Sequence, residues 1–139
     1  TNIKKYGEFT LNIPCQEILN KVEIAGFHSG QNKIGMADIT YDLGEKVDAP
    51  LLDECLLNIE CRVEHIVEHG DYTNFIATIE RRVICDEMLN EDGSLNSRDF
   101  NPIYFMGDDK ERVYRYFNSD TKKLGENMGC SAEDDSICG

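Results

Sequence analysis

The sequence predicts a mainly β domain with short helices, built on antiparallel strands, and two observations carry that expectation. Leu57, Ile59, Cys61 and Val63 alternate with Asn58, Glu60, Arg62 and Glu64, and after His69, Gly70 and Asp71 the chain returns through Phe75, Ile76, Ile79, Val83 and Ile84 to Cys85. Alternation with a period of two on both sides of a short polar turn reads as a long antiparallel hairpin. The second observation is Phe9, Leu11 and Ile13 alternating with Thr10 and Asn12, a half-buried strand that Pro14 ends.

The remaining elements follow in chain order. Ile18, Leu19, Val22 and Ala25 recur at helical spacing through Cys15 to Ala25, and Gly26 closes the run, which predicts a short amphipathic helix after the first strand. Phe27 to Met36 has no sustained period and reads as a loop. Asp38 to Leu43 suits a short strand, and the stretch to Pro50 reads as a connection into another apolar patch. Asn90 to Ser94 has polar turn chemistry. Asn101-Pro102 then introduces the apolar patch Ile103 to Met106, and Val113 to Phe117 suits a last strand. Residues 1–129 are expected to form one domain, and residues 130–139 an acidic flexible tail that buries little.

Charge and composition exclude several functions. The 139 residues hold 14 Lys plus Arg against 27 Asp plus Glu, a formal net charge of −13. Such a surface repels phosphate backbones and anionic bilayers, so neither nucleic acid nor membrane is expected as a partner. No apolar run is long enough to span a bilayer, and the first residues lack a signal-peptide core. A soluble, cytoplasmic protein is the expectation. Four of the six cysteines (Cys15, Cys55, Cys61, Cys85) lie in segments patterned for a core, which favours reduced thiols. No C-x-x-C pair is present, so no structural metal is expected.

Few residues are placed for chemistry. His65 ends the first hairpin strand and His69 lies in its turn, both positions for solvent-facing side chains. His28, beside Ser29-Gly30 in a loop, is the histidine placed like a ligand contact. Cys15 follows Pro14 at the head of the expected helix, where a thiol pKa can be lowered, while Cys61 points with the apolar face of its strand. Glu91-Asp92 and Asp108-Asp109 lack the spacing of a calcium loop, and neither a Walker glycine loop nor G-x-G-x-x-G occurs.

The order of several short motifs goes further than their periodicity. Glu8 to Pro14 is followed by Ala25 to Gly30 with Lys33, Ala49 to Cys55, and Leu57 to Val63. Leu89 to Gly93, Asn101 to Gly107 and Leu124 to Gly129 come later. This series resembles the flavin reductase-like family that includes flavoredoxin. No single motif is specific to it; the order over residues 1 to about 129 carries the resemblance.

The resemblance implies an antiparallel split β-barrel of the FMN-binding type, usually a homodimer with flavin near the subunit interface. Its members either reduce flavin with a nicotinamide cofactor, NAD(P)H, or pass electrons through bound FMN, so an oxidoreductase or electron-transfer flavoprotein is implied. Carried over residue by residue, the cofactor-binding positions are Thr1, Asn12, Ser29 and Lys33. The Thr1 hydroxyl would donate to the FMN phosphate and Lys33 would supply a point charge, while no catalytic residue is assigned.

Two departures stand beside the resemblance. The family begins with further strands ahead of the position of Thr1, so this chain is expected to be either a fragment of a longer flavoprotein or a truncated product that pairs its edges with another chain. Where relatives often read Gly-Asp-His, this chain reads Gly70-Asp71-Tyr72, and a later Gly-Glu pair appears as Ala77-Thr78. These departures favour an alternative, a non-catalytic binding or interaction module on the same scaffold. A small acidic β domain unrelated to flavins is the third reading.

Overall fold

The computed structural model describes residues 2–28, 33–107, 110–118, 120–122, 124 and 126. Strands dominate it, with helices α1 (Asn2–Tyr6), α2 (Leu19–Phe27) and α3 (Lys33–Met36). Strand β1 (Glu8–Ile13) stops before Pro14, and β4 (Leu57–His69) and β5 (Tyr72–Ile84) form the expected long hairpin. Its turn is Gly70-Asp71 between the paired residues His69 and Tyr72, and Gly70 takes φ 56, a left-handed conformation that glycine adopts without strain. The order in this sheet is β1-β4-β5, antiparallel throughout. Short hairpins β2 (Tyr41–Leu43) with β3 (Pro50–Leu52), and β6 (Tyr104–Gly107) with β7 (Arg112–Arg115), complete the described strands.

Register assigns the side chains to faces. Phe9 lies opposite Cys61, Leu11 opposite Ile59 and Ile13 opposite Leu57, while Cys61 meets Ile79 and Val63 meets Ala77. Directly paired residues share a face, so these apolar side chains form one surface across three strands. The pairing shifts between Glu60/Cys61, where β5 carries the extra residue Glu80, and between Val63/His65, where β4 carries the extra residue Glu64, and such insertions bend a strand and increase its local twist. Among the described residues the buried apolar side chains are Ile18, Ala37, Val47, Leu51, Cys55 and Cys61.

Several expectations need correction. The helix does not stop before Gly26. It runs to Phe27 and closes on His28, whose N–H bonds the Ile24 carbonyl at 3.2 Å. A four-residue helix occupies Lys33–Met36, inside the stretch read as loop. Pro50–Leu52, where the connection was expected to enter an apolar patch, is a strand because its backbone pairs with Tyr41–Leu43. Cys85, expected in the core, is exposed. Above all, the polar row of β4 is buried at its start: Asn58 is 7% exposed and Glu60 0%, while Arg62 and Glu64 of the same row are exposed. The segment that follows β2 folds over that row and supplies it with hydrogen-bond partners. The expected tail at 130–139, and Asp108-Asp109, lie outside the described residues.

Candidate functional site

A seam of polar side chains joins β1 and β4 to the β2–β3 hairpin. The Thr10 hydroxyl donates to the Pro50 carbonyl at 2.6 Å, and the Asn12 amide donates to the same carbonyl at 3.3 Å. The Asn12 Oδ1 accepts the Leu52 N–H at 3.0 Å, and Asn58 donates from Nδ2 to the Leu52 carbonyl at 3.2 Å. These bonds satisfy backbone groups of β3 on the side away from β2. The Asn58 Oδ1 is buried without a partner among the described residues.

Glu60 anchors the other end of the seam. Its Oε2 accepts the N–H of Lys46 at 2.6 Å and of Val47 at 3.1 Å, and its Oε1 accepts from the Arg81 guanidinium at 3.1 Å. Burial alone would raise this carboxyl, but those N–H groups and Arg81 together hold it below the usual carboxylate range. Arg81 also pairs with Glu45 at 3.0 Å. Arg62 donates to the Lys46 carbonyl at 2.7 Å and pairs with Glu8 at 3.3 Å, while Glu8 in turn accepts the Asp48 N–H at 2.9 Å. Gly44 permits this close approach: a Cβ there would lie 2.6 Å from the Val47 carbonyl oxygen and 2.7 Å from Glu60 Oε2.

The sequence-assigned cofactor positions fall differently. Asn12 has both ends of its amide engaged in the seam just described. Lys33 opens α3 with an exposed side chain that makes no ion pair among the described residues. No hydrogen bond joins these two. Thr1 and Ser29 lie outside the described residues. The His28 ring Nδ1 sits 2.8 Å from the Ile24 carbonyl oxygen, and His65 and His69 are exposed as expected, but β4 runs through both: His65 pairs with Ile76 inside the strand and His69 with Tyr72 at its end.

The thiols divide by environment. Cys15 was placed for a lowered pKa, and here the geometry reverses the expectation. Burial, followed by a hydrogen bond to Glu17, pushes this thiol up. Burial pushes Cys55 up to about 12, with the neighbouring Cys15 and Glu54 adding to it. Cys61 is 3% exposed, as the apolar face of β4 predicts, and burial raises it too. Among the described residues no group of His, Cys, Asp and Glu side chains is arranged to hold a metal ion. No helix among them is long and apolar enough to cross a membrane.

Sequence reasoning missed the Glu60–Arg81 and Glu8–Arg62 pairs. Their positions are directly opposed in the strand register, a relation that alternation within one strand does not reveal.

Comparison with known proteins places this architecture. Flavoredoxin of Desulfovibrio vulgaris (Miyazaki F) superposes with a TM-score of 0.76 at 30% identity, over 88% of this chain and 65% of that one. A split-barrel structure from Shewanella frigidimarina superposes with a TM-score of 0.70 at 18% identity, over 88% of this chain and 62% of that one, and shares the fold. An uncharacterised protein of Pyrococcus abyssi is 40% identical over 77 residues, 55% of this chain and 45% of its own length. The chain therefore spans about half the length of that relative and about two thirds of flavoredoxin. The fold is the antiparallel split barrel with short helices that the sequence implied. The family model for the flavin reductase like domain matches residues 1–121, and the chain belongs to that family.

Proposed function

We propose that this chain is an FMN-binding flavoprotein of the flavin reductase or flavoredoxin type, transferring electrons between a nicotinamide or protein donor and flavin. The observation that carries the reading is its 30% identity to flavoredoxin across 88% of the chain. A bound flavin supplies the redox chemistry, and the protein supplies position and charge.

In this reading Lys33 offers its ammonium to the FMN phosphate, the Thr1 hydroxyl donates to a phosphate oxygen, and Ser29 is a polar position near the cofactor. An exposed lysine without an ion-pair partner among the described residues suits that role. Asn12 acts by holding β1 against β3, since its amide is already engaged there.

A homodimer belongs to the same proposal. Strand β5 ends the β1-β4-β5 sheet with one side unpaired among the described strands, and its Ile76 and Ile79 are 54% and 45% exposed, with Ile66 of β4 44% exposed. A second copy would cover such an edge. The cytoplasm is the proposed compartment, supported by Cys55 and Cys61 serving as core side chains.

One observation favours a second reading, a non-catalytic binding module. Tyr72, 77% exposed, stands where relatives often carry a histidine able to assist proton transfer. Absorbance from about 300 to 550 nm after FMN addition and desalting, followed by NAD(P)H oxidation with FMN present, separates the two. Retained flavin bands with donor oxidation are expected. A colourless protein with background oxidation would leave the binding module.

A further inference from the structure

Three of the cavities among the described residues differ in charge. One beside β4 and β5 is lined by Asp42, Glu45 and Asp53, and another, near Cys15, by Glu17, Glu54 and Glu87. The third, about 690 Å³, lies between segment 97–102, Tyr104 of β6 and the segment after β7 (Phe117, Asn118, Thr121), and no carboxylate lines it among the described residues. In a chain of net charge −13 that is a local reversal.

Its polar lining is rich in donors. Arg98 is engaged through its backbone N–H, with Asn96 Oδ1 at 3.3 Å, while its guanidinium has no partner among the described residues. Asn101 accepts the Phe117 N–H at 3.1 Å on Oδ1, which leaves its NH2 group without a partner among the described residues. Ser97 and Thr121, each carrying a hydroxyl, line the same space. Its apolar wall is an aromatic pair: the Tyr104 and Phe117 rings meet edge to face, with centroids 4.8 Å apart at 60°. Those residues are 53% and 47% exposed, so the pair presents ring surface that nothing in the described chain covers.

We propose that this cavity binds a small planar aromatic acid, its ring against Tyr104 and Phe117 and its carboxylate on the Arg98 guanidinium. The planar fork of arginine matches a carboxylate in two parallel hydrogen bonds, and the Asn101 amide and the two hydroxyls are further donors for the same anion. An offset or edge-on ring completes the aromatic pair. The volume falls within the range of small-molecule sites. An anion without a ring leaves the wall wet, and a ring without an anion leaves the guanidinium unused. This site does not rest on the flavin reading and uses none of the residues assigned to FMN.

Benzoate is the probe, titrated calorimetrically into the whole chain. Saturable binding is expected, with acetate and benzyl alcohol each binding far more weakly. Arg98→Gln should weaken benzoate roughly tenfold or more, with Arg98→Lys between it and the parent. Because the Arg98 side chain is exposed and without a partner among the described residues, the unfolding midpoint should not move, which separates lost binding from lost fold. Saturating FMN should leave the benzoate affinity unchanged. Absence of saturable benzoate binding, equal affinity for acetate, unchanged affinity in Arg98→Gln or competition by FMN would each overturn the proposal. Benzoate binding by a protein that holds no flavin would remove the flavin reading and leave this one standing.

Discussion

Glu60→Gln removes one charge from the centre of the polar seam while keeping the side chain's shape. In the parent protein the carboxylate accepts the Lys46 and Val47 N–H groups on one oxygen and Arg81 on the other. A glutamine can keep its oxygen toward the two backbone groups, but its NH2 then faces the Arg81 guanidinium, donor against donor. Charge-assisted hydrogen bonds contribute roughly 1.5–3 kcal/mol, and breaking a fully buried ion pair costs roughly 3–5 kcal/mol. Arg81 is 32% exposed and keeps Glu45 as an alternative partner, so the lower part of that range applies. We expect a loss of about 2–3 kcal/mol at pH 7, a fall in thermal midpoint of roughly 6–12 °C for a domain of this size. Urea unfolding followed by circular dichroism measures it directly.

The same substitution has a pH signature. The folded-state carboxyl of Glu60 lies below its ordinary value of 4.5. The stability it contributes is therefore fully present above that ordinary value and is lost as pH falls through the depressed folded value. The parent should lose stability progressively below pH 4.5, and Glu60→Gln should show a shallower decline over the same interval. A variant within about 0.5 kcal/mol of the parent, or one with the parent's full acid slope, would refute the assignment of Glu60 as the anchor of the segment after β2.

Three further outcomes follow from the same geometry. Gly44→Ala would bring a Cβ to 2.6 Å from a backbone oxygen, and should cost about 1–3 kcal/mol, read as a lower urea midpoint with an unchanged slope. Lys33→Ala should raise the FMN dissociation constant roughly three- to tenfold with no change in thermal midpoint, as befits an exposed charge; an unchanged flavin affinity removes Lys33 from the site. With its thiol pushed up to about 12, Cys55 is ionised in roughly one molecule in ten thousand at pH 8, so alkylation mapped by mass spectrometry should reach exposed Cys85 well before it. Labelling of Cys55 as fast as Cys85 would contradict its burial.

The long hairpin was legible because Leu57, Ile59, Cys61 and Val63 repeat at the strand period and Gly70-Asp71 suits a two-residue hairpin turn. Pro14 likewise marks the end of β1. The short β3 was not legible. Pro50–Leu52 has too few residues to display a period, and it is a strand through its pairing with Tyr41–Leu43 and the side chains of Thr10 and Asn12. The four-residue helix at Lys33–Met36 is too short for its own periodicity to register.

Cys15 shows the same division at the level of chemistry. Its place after Pro14, ahead of a helix, suggested a lowered pKa, yet the 3₁₀ turn Gln16–Ile18 sets it beside the Glu54 carbonyl and the Glu17 carboxylate, where burial and that carboxylate favour the neutral thiol. Local position named the residue, and its neighbours across the fold determined its proton.

By itself the sequence determined the strand-rich class, the hairpin and its turn, and the ordered motifs that resemble the flavin reductase-like family, because each is written in local periodicity, backbone preference or linear order. Only the tertiary structure decided which face of β4 is buried, that Glu60 rather than an apolar neighbour is the fully enclosed side chain, and that Arg98, Tyr104 and Phe117 line one cavity. The physical reason is that alternation specifies two faces but not what covers each, and a buried charge becomes stable only through the distant donors, Lys46, Val47 and Arg81, that folding brings to it.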